Sequence, residues 1–544
     1  MLRRYPPPSR SRVILSLHLP IKSGIANPGQ SKQHFPSSPS GLQGSTTCSG
    51  RVTSTSPDLL LHTAAIKTVP VETPIVAFDR VREAIKALRF LHPAIACRLA
   101  FTQQVLSPRP NDPAALPTPE DARIIYEIPE CEADVDKWLD EIVFNRTDLL
   151  DIAKGDVDKA FELLKRELGE AKAQTGLPKV LSLNEIVGNI AQIARGWNPS
   201  KEFSWGEEIV RLVGPAVDYG VVPWSIEDEP EVMVTKMQET LTGIPEPYGL
   251  AVPHPNAAPS TTGNFFRQLS PEIVKGLVHN ARKNGCTFYA IAFAAMTLAS
   301  LRVNPPQRDH SGCATEKELA TFVHCSPLDL RPRNLDVKRV SEGDVMSALG
   351  FNVLVARDLG RFLEGEEDVW TLAREIRAQL DDQRQYMDRA GFWAHELFVG
   401  GLQMMMGMLG ARAARGENPG QTPFMSSLGV IDEYLSPSHP IPGPDESVDD
   451  AKSRWKLTIS NPTLTLRNPY SPYLSYTVGV LSFTWCGTSY LGFSFPEAYM
   501  GTVEEQERMA EVSLKDKDAS GTVLEWVDEF VGILERVAAG DRRP

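Results

Sequence analysis

The sequence predicts an α/β fold with large mixed sheets and flanking helices, from three observations. Helical and strand periodicities interleave along the chain instead of falling into separate blocks. A Pro-rich stretch at 243–263, carrying Pro245, Pro247, Pro253, Pro255 and Pro259, splits the chain into two halves of comparable size. The 544 residues are 42% hydrophobic and 23% charged, enough to build two substantial cores.

Each half has its own pattern. In the first, Ile75, Phe78, Val81, Ala84, Ile85 and Leu88 recur at helical spacing up to His92-Pro93, and a strand is expected at 95–101. A Pro-rich loop at 107–121 precedes a short strand at 124–128. A charged amphipathic helix is expected at 156–173. Another follows almost at once, opened by Ser182 and Glu185 as a capping box and faced by Leu183, Ile186, Val187, Ile190 and Ile193.

The second half opens with a helix that Ser270 can cap, Pro271 can start and Gly285 can close. The apolar run 286–301 falls short of the ~20 residues a bilayer span needs and reads as a buried helix. Strands are expected at 321–329, 455–466, 474–485 and 489–495, with a turn near Cys486-Gly487. Val523, Trp526, Val527, Phe530, Val531 and Leu534 mark a final amphipathic helix ending at Gly540.

Residues 1–57 contain no acid and carry Arg3, Arg4, Arg10, Arg12, Lys22, Lys32 and Arg51, so the net −13 of the whole leaves −20 on residues 58–544. An acidic body repels phosphodiester backbones, which excludes nucleic acid as the expected partner. The basic, Ser- and Pro-rich leader reads as disordered or as the product of a start codon placed too early, with an organellar transit peptide as the alternative. The seven cysteines are scattered and form no CxxC pair. A reducing, cytoplasmic setting without structural zinc is expected, and with it neither a membrane nor a metal. GxGxxG, P-loop, GxSxG and HExxH patterns are all missing, so dinucleotide redox chemistry, nucleotide hydrolysis and zinc proteolysis lose their usual support. Asn145-Arg146-Thr147 reads as an ordinary surface triplet.

The segment FMSSLGVIDEYL at 424–435 is the most distinctive in the chain. It resembles the corresponding stretch of fungal trichothecene 15-O-acetyltransferase-like proteins, within the chloramphenicol acetyltransferase, BAHD and condensation-domain superfamily. LRFLHPAIACRL at 88–99, GCTFYAIAFAAMTLA at 285–299 and HCSPLDLRPR at 324–333 are similar in the same order, so the resemblance covers roughly residues 70–505.

This resemblance implies two pseudo-symmetric chloramphenicol-acetyltransferase-like lobes with mixed β-sheets and flanking helices and a substrate tunnel between them. The implied division is a disordered leader at 1–65, a first lobe at 66–242, a crossover at 243–263 and a second lobe at 264–544. The implied reaction moves an acetyl or similar acyl group from coenzyme A, a co-substrate and not a bound cofactor, to a hydroxyl of a fungal secondary metabolite such as a trichothecene-like sesquiterpenoid. A monomer acting on small molecules is expected. The alternatives are a non-catalytic binding protein and a condensation-type enzyme fed by a carrier protein.

The reaction needs a histidine to take the acceptor's proton and a donor to hold the oxyanion. In the resembling proteins the histidine belongs to a His-x-x-x-Asp loop, yet none of the ten histidines here has an aspartate four positions on. That loop should precede the helix opened by Ser182. Residues 177–181 are too few for a strand and a loop, which points to a truncated gene product or gene model.

The remaining site candidates are Ser427, Ser426, Gly429 and Arg331. Ser427 reads equally as an oxyanion donor or as part of a Ser-rich turn, and Ser426 reads more as the turn. Gly429 supplies backbone freedom. Arg331 matches the arginine that holds the missing aspartate; without that aspartate the preferred reading is structural. His324 has Asp329 five residues on, which in a strand points to the opposite face, so it reads as a core histidine. His92 is likewise read as structural. The Met-rich run 402–409 is expected to pack in the core, with a tunnel lining as the alternative.

Overall fold

A computed structural model of the chain describes residues 15–17, 47–51, 62–68, 78–101, 122–146, 148–156, 159–160, 163, 180–212, 249–250, 262–305, 321–329, 349–363, 368–384, 422–440, 456–466, 478–503, 505–506, 508 and 522–540. Its strands are β1 (Leu15–Leu17), β2 (Thr47–Arg51), β3 (His62–Thr68), β4 (Arg98–Phe101), β5 (Ala122–Glu127), β6 (Val143–Asn145), β7 (Thr262–Leu269), β8 (Phe322–Asp329), β9 (Leu349–Ala356), β10 (Phe424–Val430), β11 (Ser438–Pro440), β12 (Lys456–Leu466), β13 (Gly479–Trp485) and β14 (Thr488–Pro496). The longer helices are α1 (Phe78–Leu91), α2 (Glu132–Ile142), α3 (Val180–Ala194), α4 (Pro271–Lys283), α5 (Phe288–Val303), α6 (369–384) and α7 (Val523–Ala538). The architecture is α/β, with mixed sheets and flanking helices.

A four-stranded sheet, β10-β13-β14-β7, organises the molecule. β10 runs parallel to β13 and the other pairs are antiparallel. Strand alternation gives this sheet two apolar faces, and a different core rests on each. Met425, Val480, Leu491, Phe493 and Phe495 belong to the core formed with α4, α5 and α7. Phe424, Leu481, Phe483 and Trp485 belong to the core formed with α1, α2 and α3.

The second-half core is built around α5. Every residue from Ala290 to Leu301 is buried, as expected of a helix that is apolar all round. Its two hydroxyls in that stretch are satisfied locally: Thr297 donates to the Phe293 carbonyl at 3.1 Å and Ser300 to the Met296 carbonyl at 3.0 Å. Ser300 Oγ also accepts from the Trp526 indole at 3.0 Å, joining α5 to α7. The helix starts are capped as their sequences require. Ser270 accepts from the Ile273 N–H, Thr287 from the Ala290 N–H, and Thr522 and Glu525 form a reciprocal box at α7. No single helix among the described residues is long and apolar enough to cross a membrane.

The first-half core is smaller and encloses charge. Lys86 on α1 is almost fully buried, with its ammonium 2.9 Å from Glu83, 2.8 Å from Glu132 and 2.9 Å from Asp136. Burial alone would lower its pKa, but the three carboxylates reverse that and raise it. Arg89, one turn on, donates to the Glu127 carbonyl at 3.0 Å and lies over the Trp138 ring at 4.7 Å. The buried Tyr126 hydroxyl donates to Glu208 at 2.7 Å.

The expected leader boundary at residue 65 falls inside β3. That strand pairs antiparallel with β12, which comes from far along the second half of the sequence. β1 pairs with β6 and β2 with β5, so the described parts of the leader are short strands. The expected strand at 95–101 is corrected to a 3-10 turn, Pro93–Ala96, followed by β4, because Pro93 presets a helical φ. The capping box at Ser182 is also corrected. α3 already begins at Val180, which leaves Ser182 inside the helix; after Pro178 nothing in the sequence forces a later start. The helix expected at 156–173, most of the 243–263 linker and the Met run at 402–409 lie outside the described residues. β7, β9, α2 and α6 were not expected.

Candidate functional site

β10 pairs with β13 in register from Phe424↔Gly479 to Ser427↔Ser482, then resumes at Val430↔Thr484. Three steps on β10 therefore span two on β13, and the extra residue makes a bulge at Leu428-Gly429. Gly429 takes φ +69, the left-handed region where a side chain is strained, although a Cβ there would meet no atom within 4 Å. Its N–H donates to Ser427 Oγ at 3.3 Å.

This brings Ser426, Ser427 and Gly429 together on one bulged strand. Alternation places Ser426, at the margin of burial, on the face of Phe424 and Leu428, which belong to the first-half core. Ser427 is half-buried on the other face and Gly429 is exposed. The Ser427 oxygen is an acceptor within the turn, so the expected Ser-rich turn is present. Its own proton remains available to a partner, and the arrangement can offer one hydroxyl proton beside an open glycine backbone.

The exit of β10 is tied to the β13–β14 hairpin. Ile431 N–H donates to the Thr484 carbonyl at 2.9 Å, the Trp485 indole to the Leu435 carbonyl at 2.7 Å, and Cys486 N–H to Asp432 Oδ1 at 2.8 Å. The hairpin turns in two residues, Cys486 at φ 50 and Gly487 at φ 78, the pair of positive angles that matches strand twist. A cysteine at the first of these is unusual, and the Asp432 carboxylate receives the N–H that the turn presents.

His324 on β8, beside β10, is 1% exposed. Its Nε2 meets the Tyr289 hydroxyl at 3.0 Å, and its ring lies against Phe293 and Phe424, one from each core. Burial lowers its pKa to about 3, opposed by the carbonyls of Pro423 and Met425. A neutral imidazole without solvent access and with so low an affinity for protons is a poor general base, and the core reading of His324 holds. It and Asp329 lie on one uninterrupted strand, β8, five residues apart. His92 is the N-cap of the 3-10 turn at Pro93–Ala96. Arg331 lies outside the described residues, as do 164–179, which precede α3.

Sequence reasoning missed Asp432 and Tyr289. Asp432 stands within the segment quoted above, but only the fold brings it to a turn 54 residues later. Tyr289 had no pattern to single it out. Among the described residues no group of three His, Cys, Asp or Glu side chains comes together to hold a metal ion.

No family model matches the sequence, and no curated protein matches it. Solved structures do. A trichothecene 15-O-acetyltransferase from Fusarium sporotrichioides superposes with a TM-score of 0.59 at 15% identity, covering 90% of this chain and 94% of that one. Polyketide synthase associated protein 5 from Mycobacterium tuberculosis, at 12% identity over 88% of this chain and 94% of that one, reaches a TM-score of 0.43. A cyclization-docking bidomain from Sorangium cellulosum, also 12% identical, covers 90% and 82% at 0.43. The last two scores are too low to argue from. The first, at its low identity, speaks to fold alone: this chain has the fold of that acetyltransferase.

Proposed function

We propose that this chain is an acyl-CoA-dependent O-acyltransferase by descent, shaped to bring an acyl thioester and the hydroxyl of a small secondary metabolite to the Ser427–Gly429 bulge. The observation that carries this reading is that bulge, a half-buried hydroxyl with its proton uncommitted beside an exposed left-handed glycine. It lies on a fold matched over 90% of the chain by an acetyltransferase structure. In such a reaction the acceptor oxygen attacks the thioester carbonyl, and Ser427 would donate to the oxygen that becomes negative. A trichothecene-like sesquiterpenoid is the acceptor class that the segment 424–435 supports.

The absence of His-x-x-x-Asp favours a second reading, in which the chain as written binds these ligands without turning them over. His324 does not fill the gap, because it is enclosed and holds a proton too weakly. Purified chain incubated with acetyl-CoA and a panel of hydroxylated sesquiterpenoids decides between them. Release of free thiol that depends on the acceptor supports transfer. Saturable acetyl-CoA binding without thiol release supports the binding protein, and no binding at all removes both. Supplying the acyl group on a carrier protein in a parallel arm tests the condensation-type alternative.

A further inference from the structure

We infer that Asp432 is the positioning residue for Ser427: by taking the Cys486 N–H it pins β10 to the β13–β14 hairpin and holds the bulge, and with it the serine hydroxyl, in one register. Upstream, Phe424 N–H donates to the Val478 carbonyl at 2.7 Å and the pairs run in step as far as Ser427↔Ser482. Downstream, Val430↔Thr484, the Ile431–Thr484 bond and the Asp432–Cys486 bond set a second register one residue out of step with the first. With both ends pinned, the surplus residue has only Leu428-Gly429 to occupy. Gly429 then points its N–H at Ser427 Oγ, so the serine oxygen is held as an acceptor within the bulge.

Asp432 makes a pin of a different kind from the backbone bonds beside it. The Ile431–Thr484 bond is of the ordinary ladder kind and can re-form after a slip, because every residue presents the same backbone groups. Two side-chain contacts mark this register, the Trp485 indole on the Leu435 carbonyl and the Asp432 carboxylate on the Cys486 N–H, and only the second is directed at the apex of the two-residue turn that follows β13. The same carboxylate reports on itself. Burial raises the Cys486 thiol pKa, and the adjacent Asp432 charge raises it further, although Cys486 is exposed.

The consequence for turnover rests on the reading of Ser427 as an oxyanion donor, whereas the positional claim does not, and the experiment separates them. In the full chain, Asp432→Ala should raise amide exchange at Gly429 and its neighbours by about tenfold and should speed alkylation of Cys486, while Asp432→Asn, which keeps an acceptor oxygen but loses the charge, should leave amide exchange near the parent and still speed alkylation. Where acetyl-CoA turnover is measurable, Asp432→Ala should lower kcat by about tenfold with KM within about twofold, since a misplaced donor costs the transition state more than the bound substrate. Unchanged exchange at residues 428–431 in Asp432→Ala overturns the proposal. Exchange that rises in Asp432→Ala while the parent chain releases no thiol leaves the positioning intact and removes the acyltransfer reading instead. Should Asp432→Ala fail to fold, Asp432→Glu, which displaces the acceptor by one methylene, carries the same comparison.

Discussion

The two cores on either face of the β10-β13-β14-β7 sheet are built by different means. On the second-half face, α5 is apolar on every side, and its few hydroxyls are satisfied within a turn or by Trp526. On the first-half face, α1 carries Lys86 and Arg89 into the interior and depends on α2 and β5 to neutralise or cover them. The first arrangement gains stability from packing that is indifferent to salt and pH. The second depends on long side chains meeting specific partners, so the first-half face is the more conditionally stable one.

The largest expected effect falls on the apolar face. Trp526 is fully buried, stacks on Phe530 at 5.6 Å and bonds Ser300, so Trp526→Ala should cost about 3–5 kcal/mol in denaturant unfolding. A loss below about 1 kcal/mol would mean that the second-half core does not dominate the fold.

At the seam between the faces, His324 predicts a pH dependence. Its folded pKa, about 3, lies below the unfolded value of 6.5, so below pH 6.5 the unfolded chain binds a proton that the folded chain refuses. Stability is therefore fully present above pH 6.5 and falls as the pH drops toward 3, by about 2 kcal/mol at pH 5. Urea midpoints of the parent and of His324→Leu across this range should converge with acidification; parallel curves would disprove the assignment.

On the charged face, Lys86→Met strands three carboxylates that are themselves between a third and a half exposed, so solvent offsets much of the loss. A cost of about 1–2 kcal/mol is expected, shrinking when the carboxylates are protonated at low pH. A cost that is the same at every pH would show that Lys86 acts through packing alone. The smallest effect belongs to the bulge. Gly429→Ala meets no steric obstacle and pays only for the left-handed backbone, about 1 kcal/mol in melting experiments.

Much of this was legible in advance wherever one short stretch contained all the determinants. Ser270, Pro271 and Gly285 bracket α4, and Cys486-Gly487 marks the hairpin, because caps and two-residue turns are decided by a few adjacent residues. β7 escaped notice because Gly263 and Asn264 look like loop, yet Gly263 is where the Phe495 ring of β14 crosses the backbone. α2 was missed although Val135, Leu139 and Ile142 have helical spacing, with Asp134 accepting the N–H of Glu130 and Cys131 at its start. The site was half legible. Ser426, Ser427 and Gly429 could be chosen from the segment itself, but the bulge that turns the Gly429 N–H onto Ser427 exists only against β13.

By itself, then, the sequence determined the α/β pattern, the capped helices, the hairpin turn and the absence of His-x-x-x-Asp, since each is written in residues a few positions apart. Tertiary structure alone decided that β12 returns to pair with β3, that one sheet serves two cores, and that Asp432 reaches Cys486. Those contacts join residues tens to hundreds of positions apart, and their partners present the same backbone groups as any other strand, so only the closed fold selects among them.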